Sequence, residues 1–286
     1  MDKLVRIFFA VDSADIVDYF YEKLRMKLFV LISYFVLRGN TIALTDEIKQ
    51  MIKMLFLDSG AFSANKGLSK IDRDEYAKFR KRYWQLFDQD FNFDDKFDDP
   101  EHNFQNQLYI EEATPGIRRP IPVLHDANNP FEELKMYVDM GYDYVALGSG
   151  NKKNGNRVLE KVKTDYPDLK IHLFGRLELD ILERFRPYSA DGAHYAHVAK
   201  TGTILYWDEE AKTTHKIYVG GREKSPTEKG FEHFQPFLKS HAGFRNMIEN
   251  IFGYTHCDLL TDYRKLQIIN IYFYEMFAEH LNKIEK

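Results

Sequence analysis

Cysteine is almost missing from this chain: its 286 residues include one, Cys257. No internal disulfide can form, and neither a four-cysteine nor a Cys/His structural zinc site can be assembled. The cytoplasm is therefore the expected compartment. Long apolar runs are also absent. The most hydrophobic stretch, Leu28–Leu37, falls short of a membrane span. The opening MDKLVRIFFAV is interrupted at Asp12, too soon for a signal peptide. No Gly-x-Gly-x-x-Gly follows the first apolar run, which weighs against a dinucleotide-binding doubly wound sheet. No internal repeat and no low-complexity linker is found. Strong positive charge is lacking too: the net charge is −4, which excludes a sequence-independent nucleic-acid coat but leaves room for a local basic rim.

What is present is a repeated design. Short apolar runs, each read as a buried strand, stop at an acid or a glycine. Met54–Leu57 leads into Asp58-Ser59-Gly60, so the strand delivers a carboxylate at its C-terminal end. An ordinary Asx-turn would use the same residues, but the pattern recurs. The other runs are Arg6–Val11, Leu28–Tyr34, Phe91–Phe93 before Asp94, Ile121–His125, Tyr144–Leu147 before Gly148-Ser149-Gly150, Lys170–Phe174 before Gly175, and Tyr188–Ala190 before Asp191-Gly192. Helical patterns lie between them, at Asp15–Leu24, Asp46–Lys53, Asp72–Leu86, Glu101–Glu112, Pro130–Gly141, Val158–Tyr166 and Leu177–Phe185.

Eight strand–helix units predict an α/β fold, a (β/α)8 TIM-type barrel, over residues 1–202. An open doubly wound sheet is the rival. Residues 203–286 break the alternation. Thr203–Tyr206 and Lys216–Val219 flank a polar turn as in a β-hairpin, and Phe231–Ile251 and Thr261–Ile284 read as helices. This part is expected to be a hairpin and helical extension packed on the barrel.

Catalytic groups of such barrels come from the C-terminal strand ends. Here those ends offer Asp58, Ser59, Asp94, His125, Asp126, Gly148, Ser149, Gly175 and Asp191. Three carboxylates at one mouth can supply a nucleophile, a proton shuttle and an acceptor for an amidine-like base edge. Each also has a plain reading: Asp94 as a solvated acid in Asp88–Glu101, His125 as a core or loop histidine, Asp191-Gly192 as a turn.

These residues resemble a family. LDSGAFSA is similar to the Asp-Ser-Gly-Gly-Phe motif of tRNA-guanine transglycosylases, with Ala61 at the second glycine. YVALGSG resembles their Ala-Leu-Gly-Gly segment, with Ser149 at the second glycine. FNFD resembles the strand ending in a base-recognising aspartate, and YSADGAHYA stands where the nucleophilic aspartate ends a late strand. The missing zinc ligands and short length are similar to the compact phage-type relatives that place 7-deazaguanines in DNA. The resemblance implies base exchange in nucleic acid, DNA before tRNA, using a free 7-deazaguanine base, no cofactor and no metal. It implies Asp191 as nucleophile, Asp58 as general acid/base, and Ser59, Gly60, Asp94, His125, Gly148, Ser149 and Gly175 as the base pocket. Cationic partners for the polymer are expected in a basic loop, Lys152, Lys153 and Arg157, and in Lys200 near the hairpin. No membrane partner is expected.

A metal-dependent hydrolase on the same barrel is the alternative chemistry, with His125, His172, His194, His197 and Asp191 as its ligands. Against it, His172 falls mid-strand and the first strand carries no His-x-His pair.

Overall fold

Apolar runs too short for helices and bounded by turn residues must bury themselves as strands, and in the computed structural model they do. The structure describes residues 4–11, 13–38, 45–65, 67, 70–126, 128–148, 152–220 and 230–284. The chain divides into two compact units, Met1–Gly192 and Ala193–Lys286. The division falls ahead of the boundary at 202/203 read from the sequence, because a helix at His194–Lys200 packs with the hairpin and the last helix of the chain.

The first unit has eight strands: β1 Arg6–Ala10, β2 Leu28–Ser33, β3 Ile52–Asp58, β4 Gln89–Asp90, β5 Val123–Leu124, β6 Tyr144–Leu147, β7 Lys170–Leu173 and β8 Ser189–Gly192. Between them lie α1 Ala14–Leu24, α2 Tyr34–Arg38, α3 Asp46–Gln50, α4 Ala61–Asn65, α5 Arg73–Tyr83, α6 Pro100–Ala113, α7 Pro130–Asp139, α8 Lys152–Asp165 and α9 Leu179–Phe185. All strand pairings are parallel, in the order β4-β3-β2-β1-β8-β7-β6-β5. A parallel bridge between Phe91 and Ile121 joins the two ends, with Asn92 N–H to Ile121 O at 2.9 Å and Ile121 N–H to Asp90 O at 2.8 Å. The ring is a TIM-type barrel.

Side chains alternate across a strand, so every second residue points inward. Phe8, Leu31, Phe56, Phe91, Ile121, Val123, Tyr144 and Ala146 fill the interior, and Phe8 and Phe56 stack with ring centroids 4.0 Å apart. Each buried ring contributes about 1.5–3 kcal/mol relative to exposure. The same alternation carries Ser33, Asp58, His172, Ser189 and Asp191 inward.

The fourth strand begins earlier than the sequence suggests, at Gln89 rather than Phe91. Asp90 is buried beneath the fully buried Arg80, whose guanidinium also reaches Thr114 Oγ1 and the Arg118 carbonyl. Beyond Phe91 the chain leaves the ladder, since Asn92 bonds the Asn103 carbonyl in α6 at 2.9 Å.

In the second unit α10 (His194–Lys200), unmarked in the sequence reading, precedes a hairpin of β9 (Thr203–Asp208) and β10 (Thr213–Tyr218). Phe231–Ile251 is not one helix. It opens as strand β11 (Phe231–His233), parallel to β10, and continues as α11 (Phe234–Ser240) and α12 (Ala242–Asn246), then a π-helical turn at Met247–Ile251. The break falls at His241, whose extended backbone (φ −112°, ψ 99°) cannot continue a helix. The last helices are α13 (His256–Thr261) and α14 (Tyr263–Lys283). Buried Asn270 of α14 accepts from Leu205 N–H at 2.8 Å and donates to the Tyr195 and Thr203 carbonyls at 3.1 Å each, tying α14 to α10 and β9. Among the described residues no helix is long and apolar enough to cross a membrane.

Candidate active site

Asp58 ends β3 beside Ser33 of β2. Its Oδ2 accepts the Gly60 N–H at 3.1 Å. Gly60 has φ +83°, and a Cβ there would lie 2.9 Å from both Ser33 Oγ and Ile71 Cδ1, so only glycine makes this turn without strain. Burial, then the charges of Asp94 and Asp191, push the Asp58 carboxyl up to about 7, against the pull of the Gly60 and Ser33 hydrogen bonds.

Ser59 is fully buried and donates to Asp94 Oδ1 at 3.1 Å. His125 Nε2 contacts Asp94 Oδ2 at 2.6 Å, its ring stacks on Phe97 at 4.8 Å, and its buried Nδ1 has no hydrogen-bond partner. The backbone N–H groups of His125 and Asp126 both donate to Glu133 Oε2, at 2.9 and 2.8 Å. Burial raises the Glu133 carboxyl to about 7 despite those bonds. Gly148 gives the imidazole its room: a Cβ there would come within 2.5 Å of His125 Cε1. Asp126 closes a turn, accepting the Asn128 and Asn129 N–H groups at 2.8 Å.

Asp191 in β8 is buried. Its Oδ1 accepts the Gly175 N–H at 3.1 Å and lies 3.3 Å from His172 Nε2. His172 Nδ1 in turn meets Ser189 Oγ at 2.6 Å, and Ser189 Oγ meets the Tyr144 hydroxyl at 2.6 Å. Burial keeps the Tyr144 phenol protonated far above its ordinary range. One hydrogen arrangement satisfies the row: Tyr144 donates to Ser189, Ser189 to His172 Nδ1, and His172 Nε2–H to the Asp191 carboxylate. Phe8, Phe91 and Phe174 surround the imidazole.

Asp58, Ser59, Gly60, Asp94, His125, Gly148, Gly175 and Asp191 thus stand at the C-terminal ends of their strands, with Asp94 linking Ser59 to His125. Ser149 lies outside the described residues. Lys152, Lys153 and Arg157 form no loop; they belong to α8. Arg157 is exposed and sits 5.3 Å over the Phe131 ring. Lys200 ends α10 in the second unit, exposed. Sequence reading offered His172 only as a metal ligand, and it passed over Ser189, Tyr144, Glu133 and Arg176. The available signal for the place of His172 was its parity: two residues before Phe174 on a strand, it must face inward with it. Among the described residues no three His, Cys, Asp or Glu side chains are grouped to hold a metal.

No protein-family model matches the chain, and no curated protein matches it. Among solved structures, one assigned as a fructose-1,6-biphosphate aldolase from Coccidioides immitis is similar, with TM-score 0.54 at 12% identity, over 99% of this chain and 92% of that one. An N-acetylneuraminate lyase from Mycoplasma synoviae gives TM-score 0.44 at 13% identity, over 68% of this chain and 70% of that one. At 12% identity the first likeness is one of fold. The chain is a TIM-type α/β barrel followed by a second unit of hairpin and helices, with three aspartates among the groups at its strand ends.

Proposed function

We propose that this protein is a base-exchange glycosyltransferase that replaces guanine in nucleic acid, DNA in preference to tRNA, with a 7-deazaguanine base. The observation that carries the reading is the division of labour among three aspartates, two of which, Asp94 and Asp191, act electrostatically on the third, Asp58. Asp58 holds a proton up to about pH 7 because Asp94 and Asp191 add to its burial, while Asp191 is furnished with two donors, Gly175 N–H and His172. A protonated acid and a hydrogen-bonded carboxylate on one barrel mouth suit glycosyl transfer.

Asp191 attacks the sugar C1′. A C–O bond forms, the C1′–N bond to guanine breaks, and the Asp58 proton goes to the leaving base. The incoming base then gives a proton to Asp58 as its nitrogen displaces Asp191 from C1′. Asp94, already accepting from Ser59 and His125, is the acceptor available to a base's N–H edge. A base in a duplex must be flipped out, or already unpaired, to reach it.

The test is to incubate the protein with DNA or tRNA without an incoming base. Wild type should give a covalent protein–polymer species that survives denaturing electrophoresis, and Asp191→Ala should give none. Nucleoside mass spectrometry after adding the base identifies the product. An adduct persisting in Asp191→Ala removes that residue as nucleophile; product in tRNA alone reverses the choice of polymer.

A further inference from the structure

Arg176 comes directly after Gly175, whose N–H touches Asp191, at the mouth end of β7. Its side chain is 9% exposed. The guanidinium does not find a full set of partners there. Nη2 donates to Asn156 Oδ1 at 3.1 Å, and Nε lies 3.6 Å from Glu178, an ion-pair distance too long for a hydrogen bond. Nε and Nη1 are buried with no hydrogen-bond partner. Leaving a buried donor unpaired costs about 1–3 kcal/mol, and more on a charged group.

The guanidinium is aimed at the beginning of α8. A Cβ on Gly155, in the first turn of that helix, would come within 2.6 Å of Nη1. The 14-residue helix presents its positive dipole end there, and its first turn carries no acid but two lysines, Lys152 and Lys153. Acids are the residues that stabilise such an end, and cations oppose it. The Arg176 guanidinium thus meets a helix start whose first-turn N–H groups have no acceptor within the helix. Arg176 itself is one residue from a contact to Asp191, and an anion would complete its set of partners.

We propose that Arg176 and the first turn of α8 bind a phosphate ester of the nucleotide whose sugar Asp191 attacks. The inference rests on the base-exchange reading for the identity of that ester, but not for the existence of the anion site. Phosphate is the anion that fits: it spreads charge over several acceptor oxygens and so can take the two unpaired Arg176 donors along with helix N–H groups.

Binding of deoxyguanosine 5′-monophosphate and inorganic phosphate to the full chain, monitored through the Arg176 Nε–H resonance and by calorimetry, tests the site without any turnover. Saturable binding is expected, weakened about ten- to a hundredfold in Arg176→Gln, the loss of charge-assisted hydrogen bonds. Gly155→Ala keeps every charge but displaces the guanidinium, and should weaken binding in the same direction. No saturable binding by wild type, or equal binding by Arg176→Gln, overturns the site. A single-stranded oligodeoxynucleotide with one neutral methylphosphonate beside the target guanine separates the sources. If the neutral linkage weakens wild type but not Arg176→Gln, the ester is a polymer phosphodiester. If it weakens both equally while the mononucleotide still binds through Arg176, the site stands, its ligand is a free nucleotide, and the polymer reading fails instead.

Discussion

His172 and Asp191 stand on adjoining strands with Nε2 3.3 Å from Oδ1, and the histidine's other nitrogen is occupied by Ser189. The imidazole is fully buried, so its orientation is set by this row and by the rings around it. It acts on the sugar only through Asp191, as a positioning residue. His172→Phe keeps the packing and removes the donor. Formation of the covalent adduct should slow by about ten- to a hundredfold, the worth of a hydrogen bond to a charged group, with little change in substrate affinity. A rise in apparent KM with an unchanged adduct rate would show that the ring serves packing alone.

Asp58 should leave two signatures. As the proton donor it must be protonated, so the first step should lose rate as pH rises through about 7. Asp58→Asn should lower turnover by about two to four orders of magnitude and abolish that pH limb. Stability depends on the same shift. The folded-state carboxyl titrates above its unfolded value, so its contribution is complete below the unfolded value and is lost as pH rises through about 7. Asp58→Asn should therefore melt higher than wild type at about pH 8, and the gain should vanish near pH 3. Equal melting gaps at both pH values would refute the raised titration.

Gly148→Ala should eject the His125 imidazole, since the new Cβ would come within 2.5 Å of Cε1 and 3.1 Å of the Leu124 carbonyl. Asp94 then loses its 2.6 Å partner. Affinity for the incoming base should fall as in Asp94→Ala, by about 1–3 kcal/mol, and the double variant should add little to either single one. Full additivity of the two losses would separate Gly148 from the Asp94–His125 pair.

Asn270→Leu should destabilise the second unit by about 2–4 kcal/mol. The change leaves the Leu205 N–H and the Tyr195 and Thr203 carbonyls without their shared partner in a buried position. Chemical denaturation monitored by the fluorescence of Trp207, which lies in β9, measures it. A loss under about 0.5 kcal/mol, the size of an ordinary surface change, would deny the tie its weight.

The barrel was legible where a strand's apolar run and its terminal acid or glycine coincide, as at Met54–Asp58 and Tyr144–Gly148. It was legible only approximately at β4 and β5, because there the ladder is two residues long and side-chain bonds such as Asn92 to Asn103 decide where it stops. Helix α10 escaped notice because it starts from Ala193 with no side-chain cap to announce it. The candidate aspartates could be named from their places at strand ends. Their partners could not: Glu133 reaches the His125 and Asp126 backbone from a helix, and Arg176 meets Gly155 from a different strand–helix unit. Such pairings exist only once the ring closes.

The closing seam itself has a functional corollary. Among the described residues the backbone join between β4 and β5 is the Phe91–Ile121 bridge with its two bonds, and directly above it Asp94, from one side, grips His125, from the other. A base that takes Asp94 as its acceptor competes for the clasp that holds this seam shut. Occupancy of the pocket and breathing of the barrel wall are therefore thermodynamically linked. The amides of Asn92 and Ile121 should exchange faster with deuterium than those of β1–β3 in the free protein, and their protection should change, uniquely in the wall, when the base binds.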